Sequence, residues 1–101
     1  MSLKAAFIFL DTGANSATDR SVVSTPGTEL TVVGAASYAD AEMVAQGLVA
    51  DGIVAIELCG GFGTQGVARI ASAVGDKAAV GAVRFDGHPG LGNKSGDSVF
   101  G

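Results

Sequence analysis

Cysteine, histidine and tyrosine occur once each in this chain, proline twice and tryptophan not at all, and only six residues are Lys or Arg. A lone cysteine cannot close an internal disulfide, so a reducing, cytoplasmic setting is expected. The six basic residues are scattered and the formal net charge is -4. That balance excludes nucleic acid as an expected partner, because phosphate backbones are held by clustered Lys and Arg. No apolar run approaches the ~20 residues of a membrane span, and Met1 to Lys4 does not open as a secretory leader, so no membrane association is expected. No recognised ligand spacing joins Cys59, Asp86 and His88, which leaves no expected metal site and no expected cofactor.

What the sequence does have is apolar residues and glycine. Of 101 residues 48% are apolar, enough for one core, and residues 1–101 read as a single domain without an internal linker. A mean hydropathy of +0.43 on so small a body predicts that some apolar surface is covered by another copy, giving a homo-oligomer.

Lys4 to Leu10 (KAAFIFL) is a continuous apolar run ending at Asp11, the pattern of a central strand covered on both faces. Asp11 to Asn15 are turn residues. Ser16 with Asp19 has capping-box form, which predicts a short helix stopped by Pro26 and Gly27. Glu29 to Val33 (ELTVV) reads as a second strand, and its partial alternation places it nearer an edge. Ser37 and Asp40 form another capping box before the helical stripe Ala41, Val44, Ala45, Leu48 and Val49, closed by Gly52. Ile53 to Leu58 is the third strand. After a glycine turn, Val67, Ile70, Ala71 and Val74 form a second helical stripe ending at Gly75. Ala78 to Phe85 makes the fourth strand, and residues 86–101, with five glycines and a proline, read as an extended loop that wraps a site or a neighbouring subunit.

These elements predict an α/β domain with a four-stranded, mainly parallel sheet and βαβ crossovers, arranged as an open flavodoxin-like sheet or as half of a (β/α) barrel. A ferredoxin-like sheet fits the long tail less well. In parallel sheets ligands sit beyond the carboxyl ends of the strands. That rule gathers Asp11, Gly34, Cys59 to Gly63, Asp86 and His88 at one rim. The turn from Gly60 to Gly66 runs from a strand into a helix, where backbone N–H groups and the helix dipole can hold an anion. Gly60, Gly61, Gly63, Thr64, Gly66, Arg84 and Asp11 are therefore the candidate ligand-binding residues, with His88, Asp86 and Cys59 as the candidate catalytic groups.

Gly61-x-Gly63-x-x-Gly66 has the spacing of a dinucleotide fingerprint, with Asp86 twenty residues further on. It follows the third strand instead of the first, and a second nucleotide-binding half is missing. Val67 and Ala68 stand where a Walker A loop needs Lys and Ser or Thr, which argues against nucleotide hydrolysis. Glu57 and Arg84 each interrupt an apolar strand near its end and are expected to form an ion pair or to share a network beside the site. Cys59 reads as a small apolar residue more readily than as a nucleophile.

The stretches Ala55 to Gly63 (AIELCGGFG) and Val83 to Gly92 (VRFDGHPGLG), with Thr28 to Gly34 (TELTVVG), resemble those of a family of small bacterial proteins classed as a domain of unknown function. The resemblance covers nearly the whole chain and implies no activity. The run AIELCGG is also similar to phosphate-handling barrel enzymes such as the 2-keto-3-deoxy-6-phosphogluconate aldolases. However, Lys4 and Lys77 are not at strand positions suited to a Schiff base. Three functions are thus expected in competition: binding, with or without simple enzymatic conversion, of a small phosphorylated or carboxylated metabolite at the strand rim; an assembly role in which the glycine-rich tail makes subunit contacts; and, least favoured, a redox or nucleophilic enzyme acting through Cys59.

Overall fold

A computed structural model describes residues 2–85 and 87–101. Five strands, β1 (Leu3–Leu10), β2 (Arg20–Ser24), β3 (Thr28–Ala35), β4 (Ala55–Leu58) and β5 (Ala79–Ala82), form one sheet in the order β2-β3-β1-β4-β5. All neighbours run parallel except β2, which pairs antiparallel with β3. The apolar run KAAFIFL becomes the central strand, as its lack of alternation requires.

The fifth strand corrects the expected count of four. Residues 16–19 form turns, with Asp19 accepting from Asn15 N at 2.7 Å, and no helix follows. Instead RSVVS pairs residue by residue with β3, and Thr25 N donates to Thr28 O at 2.8 Å across a hairpin with Pro26 and Gly27 at its tip. Two adjacent valines at an exposed edge favour strand, and the Pro-Gly pair that reads as a helix stop serves equally well as a turn.

The helix α1 (Tyr38–Ala50) connects β3 to β4, and α2 (Thr64–Val74) connects β4 to β5. Ser37 Oγ accepts from Asp40 N at 3.1 Å, while the Asp40 carboxylate accepts from Ala36 N and from Ser16 Oγ, both at 2.9 Å. The capping box therefore also anchors the β1–β2 loop. Gly52, at φ +91°, closes α1 in the left-handed region.

Both helices pack side by side on the same face of the sheet. Ala6, Ile8, Val33, Ile56 and Leu58 point into that layer against Tyr38, Ala41, Ala45 and Leu48 of α1 and Ile70 and Val74 of α2. The strand positions of the other parity lie on a face that no helix covers. β5 ends at Ala82, short of the expected Phe85. The tail forms a 3-10 turn at Pro89–Leu91 and a one-turn helix, α3 (Asp97–Phe100), instead of an extended loop. Phe100 is buried in the core at the amino end of α2. Among the described residues no helix is long and apolar enough to cross a membrane.

Candidate functional site

The glycine turn after β4 is shaped by one buried tyrosine. Tyr38, the first residue of α1, is 1% exposed, and its ring stacks on Phe62 with centroids 5.6 Å apart. Its hydroxyl accepts from Gly63 N at 2.9 Å and donates to Asp97 Oδ1 at 2.7 Å. The Asp97 carboxylate in turn accepts from Gln65 N and Gly66 N, both at 3.1 Å. These are first-turn N–H groups of α2, a helix whose N-cap is Gly63 and whose first turn has no acid of its own. Asp97 thus caps α2 from the far end of the chain. The anion at this helix N-terminus belongs to the protein.

The same contacts explain the fingerprint-like glycines. A Cβ on Gly66 would run into the Tyr38 ring, one on Gly63 into the Asp97 carboxylate, and one on Gly96 into the carbonyl oxygen of Gly61. The spacing that resembles a dinucleotide motif leaves room here for Tyr38 and for the docked C-terminal segment. Arg69 lies over the Tyr38 ring at 5.5 Å and pairs with Glu42 at 2.7 Å, tying α2 to α1 at a partly exposed site.

Burial pushes the Tyr38 hydroxyl up to about 12, opposed by the Gly63 N–H and reinforced by the Asp97 charge it donates to. Tyr38 is therefore a donor that keeps its proton, not a base. Burial also pushes the Asp97 carboxyl up, but the hydrogen bonds from Tyr38, Gln65 and Gly66 together outweigh it and hold the group below its ordinary value. Tyrosine in the unfolded chain loses its proton near pH ~10, whereas Tyr38 in the fold keeps it to about 12, so the folded state binds more protons in that window. Stability from Tyr38 is complete below pH ~10 and falls as pH rises to 12, by roughly 2 kcal/mol. Thermal melts at pH 9 and pH 11.5 should differ accordingly, and Tyr38→Phe should flatten the alkaline limb. The Asp97 contribution has the opposite sense: it is present above the unfolded carboxylate value of ~3.9 and is lost as pH falls through the lower folded value.

The expected rim residues divide between two faces. Gly60 lies beneath Phe85 and the His88 ring, so the cysteine-bearing turn and the histidine-bearing loop share one end of the molecule. Phe85 and His88 pack with centroids 4.6 Å apart, and His88 Nδ1 accepts from Gly90 N at 3.0 Å, capping its own 3-10 turn. Cys59 is half-buried against the core, with its Sγ accepting from Gly61 N at 3.3 Å. Asp86 lies outside the described residues. Asp11 is at the same strand edge but accepts from Gly13 N at 2.8 Å and faces a separate hollow of about 460 Å³, floored by Phe9 and Val32 and walled by Ala14, Asp19 and Arg20.

The strand register does not set Glu57 and Arg84 opposite one another. Glu57 is exposed on the uncovered face with Gly81 as its β5 neighbour, while Arg84 lies three positions further on, past the end of β5. Arg69 and Glu42 do form an ion pair, between the two helices. An exposed carboxylate needs no buried partner, which removes the reason for the expected pairing.

Arg84 lines a cleft of about 420 Å³ between α2 and the segment after β5, together with Phe62, Gly63, Thr64, Val67 and Ala82. Three of the expected ligand-binding residues, Gly63, Thr64 and Arg84, meet there. Among the described residues no group of three His, Cys, Asp or Glu side chains is placed to hold a metal ion. Sequence reasoning missed Tyr38 and Asp97. The available signal was a lone tyrosine at a helix start together with a helix that lacks a capping side chain.

Compared with known proteins, residues 3–98 match the sequence pattern of DUF6506, described as a family of unknown function. No curated protein and no solved structure matches the chain.

Proposed function

We propose, for a chain that belongs to the DUF6506 family of unknown function, that the cleft between α2 and β5 binds a small metabolite with an apolar body and one carboxylate or phosphate group. The observation that carries this reading is the make-up of the cleft: Phe62, Val67, Ala68, Ala82 and Val83 are its apolar lining residues, and Thr64 and Arg84 are the lining residues with polar side chains. Pockets of this kind bind through apolar area and take orientation from a few polar groups. Arginine presents a planar fork that matches carboxylate and phosphate oxygens.

The reading differs from a phosphate held on the helix dipole, because Asp97 already accepts from Gln65 N and Gly66 N. It places the anion on Arg84, at the side of the helix start. An assembly role for the C-terminal segment has less support, since Asp97 and Phe100 are engaged within their own chain. The half-buried single thiol is compatible with a reducing, cytoplasmic setting.

The test is a thermal-shift screen of carboxylated and phosphorylated metabolites, with inorganic phosphate as the bare-anion control. A ligand at a hundred times its Kd stabilises by ~2.7 kcal/mol, which for a domain of this size raises the melting temperature by roughly 10–20 °C. Arg84→Gln should abolish that shift, and Asp11→Asn, in the other hollow, should leave it intact. Absence of stabilisation by every anionic metabolite at millimolar concentration would refute the reading.

A further inference from the structure

We infer that the uncovered face of the sheet is a homodimer interface, closed by a second copy of this chain packed sheet against sheet. The register fixes which residues are involved. Phe7 of β1 pairs with Val32 of β3, Leu3 and Phe9 share its side of β1 opposite Thr28 and Gly34, and Val23 of β2 continues the row from Leu30, which pairs with Ala5. Their neighbours of opposite parity, Ala6, Ile8 and Val33, are fully buried under the helices. Leu3 and Val23, by contrast, remain 48% and 54% exposed.

A half-solvated sheet ordinarily alternates apolar inward with polar outward. The central strand here does not: KAAFIFL is apolar on both parities, the pattern of a strand covered on both sides, although only one side is covered within the single chain. At the uncovered parity the strands carry one charged residue, Glu57 of β4, so the net charge of -4 is not concentrated on this face.

The dimensions also agree. Strands of 8, 5, 8, 4 and 4 residues, at ~3.3 Å per residue and ~4.8 Å apart, present on the order of 460 Å² of flat area per copy, more once the side chains standing on it are counted, which is the scale of a small interface. Standard protein interfaces bury about 800 Å² per partner. Sheet-on-sheet packing brings together two broad, pleated, largely apolar surfaces. A second copy presents such a surface by construction, and a two-fold axis lets both faces close at once. The face is distinct from the cleft at Arg84, so this inference stands or falls independently of the proposed ligand.

Sedimentation velocity and light scattering of the full chain over ~1–100 μM should give twice the 9.9 kDa chain mass. Phe7→Lys and Val23→Lys should each return the mass of one chain while far-UV circular dichroism is retained, with dissociation constants raised roughly a hundredfold. Met43→Lys, on the outer face of α1 at 72% exposure, should remain a dimer. If Phe7→Lys fails to fold, Val23→Lys decides alone, because its site is already solvated in the single chain. A one-chain mass for the unmodified protein throughout the range overturns the inference, as does any larger mass that the folded lysine variants retain.

Discussion

Replacing Asp97 by alanine is expected to lower the melting temperature by roughly 10–20 °C at pH 7, a loss of about 2–3 kcal/mol for a domain of this size. The side chain is only partly buried and α3 is a single turn, so its own packing contributes little of that effect. The loss comes from the groups it satisfies. Removing an N-cap acceptor costs about 1 kcal/mol, and here one carboxylate accepts from both Gln65 N and Gly66 N. Leaving a buried hydroxyl without its acceptor costs a further 1–3 kcal/mol, and Tyr38 donates to this carboxylate from a site with 1% exposure.

Asp97→Asn should fall between the two, keeping one acceptor oxygen but losing the charge that strengthens each bond. Tyr38→Phe keeps the ring stacked on Phe62 and should cost about 1–2 kcal/mol. The Tyr38→Phe, Asp97→Ala pair should be less destabilised than the sum of its parts, because each single change already breaks the shared bond. Thermal unfolding followed by circular dichroism measures all three. An Asp97→Ala melting temperature unchanged at pH 7 would show that the C-terminal segment does not clamp α2.

The parts of this fold that were legible in the sequence are those encoded locally. The stripe Ala41, Val44, Ala45, Leu48 lies within one helix, and the capping serine and closing glycine sit directly beside it. KAAFIFL gave away a central strand because no polar residue interrupts it. β2 was missed for the converse reason: its five residues are exposed, its valines are adjacent instead of alternating, and only pairing with β3 makes it a strand. The Tyr38–Asp97 contact joins residues 59 positions apart, a separation at which neither periodicity nor spacing carries information. The glycines at 63, 66 and 96 are the trace that contact leaves in the sequence. Without coordinates, glycines kept small for a neighbouring ring read the same as glycines kept small for a ligand, which is why the turn looked like an open anion site when it is already occupied.

That distinction makes the glycines testable in themselves. Gly96→Ala should destabilise by about 3 kcal/mol, the upper end of what overpacking ordinarily costs, and release the C-terminal segment from α2. Gly96 has ordinary right-handed backbone angles, φ -57° and ψ -26°, so an alanine there is not strained in its own conformation. The obstacle is the Gly61 carbonyl oxygen, into which the new Cβ would run. Because that atom is backbone, held in the turn by its neighbours, no rotamer change can clear the contact. Gly47→Ala provides the control of opposite sign. It lies inside α1 with nothing within 4 Å of the added methyl, and replacing a helix-interior glycine by alanine should stabilise by about 0.8–1 kcal/mol. Hydrogen exchange should then distinguish a local release from a general loss of stability. In Gly96→Ala the Phe100 amide, which donates to Gly96 O at 2.8 Å in the parent, should exchange far faster than the β1 amides, whereas equal acceleration of both would mean that the segment and the sheet unfold as one unit.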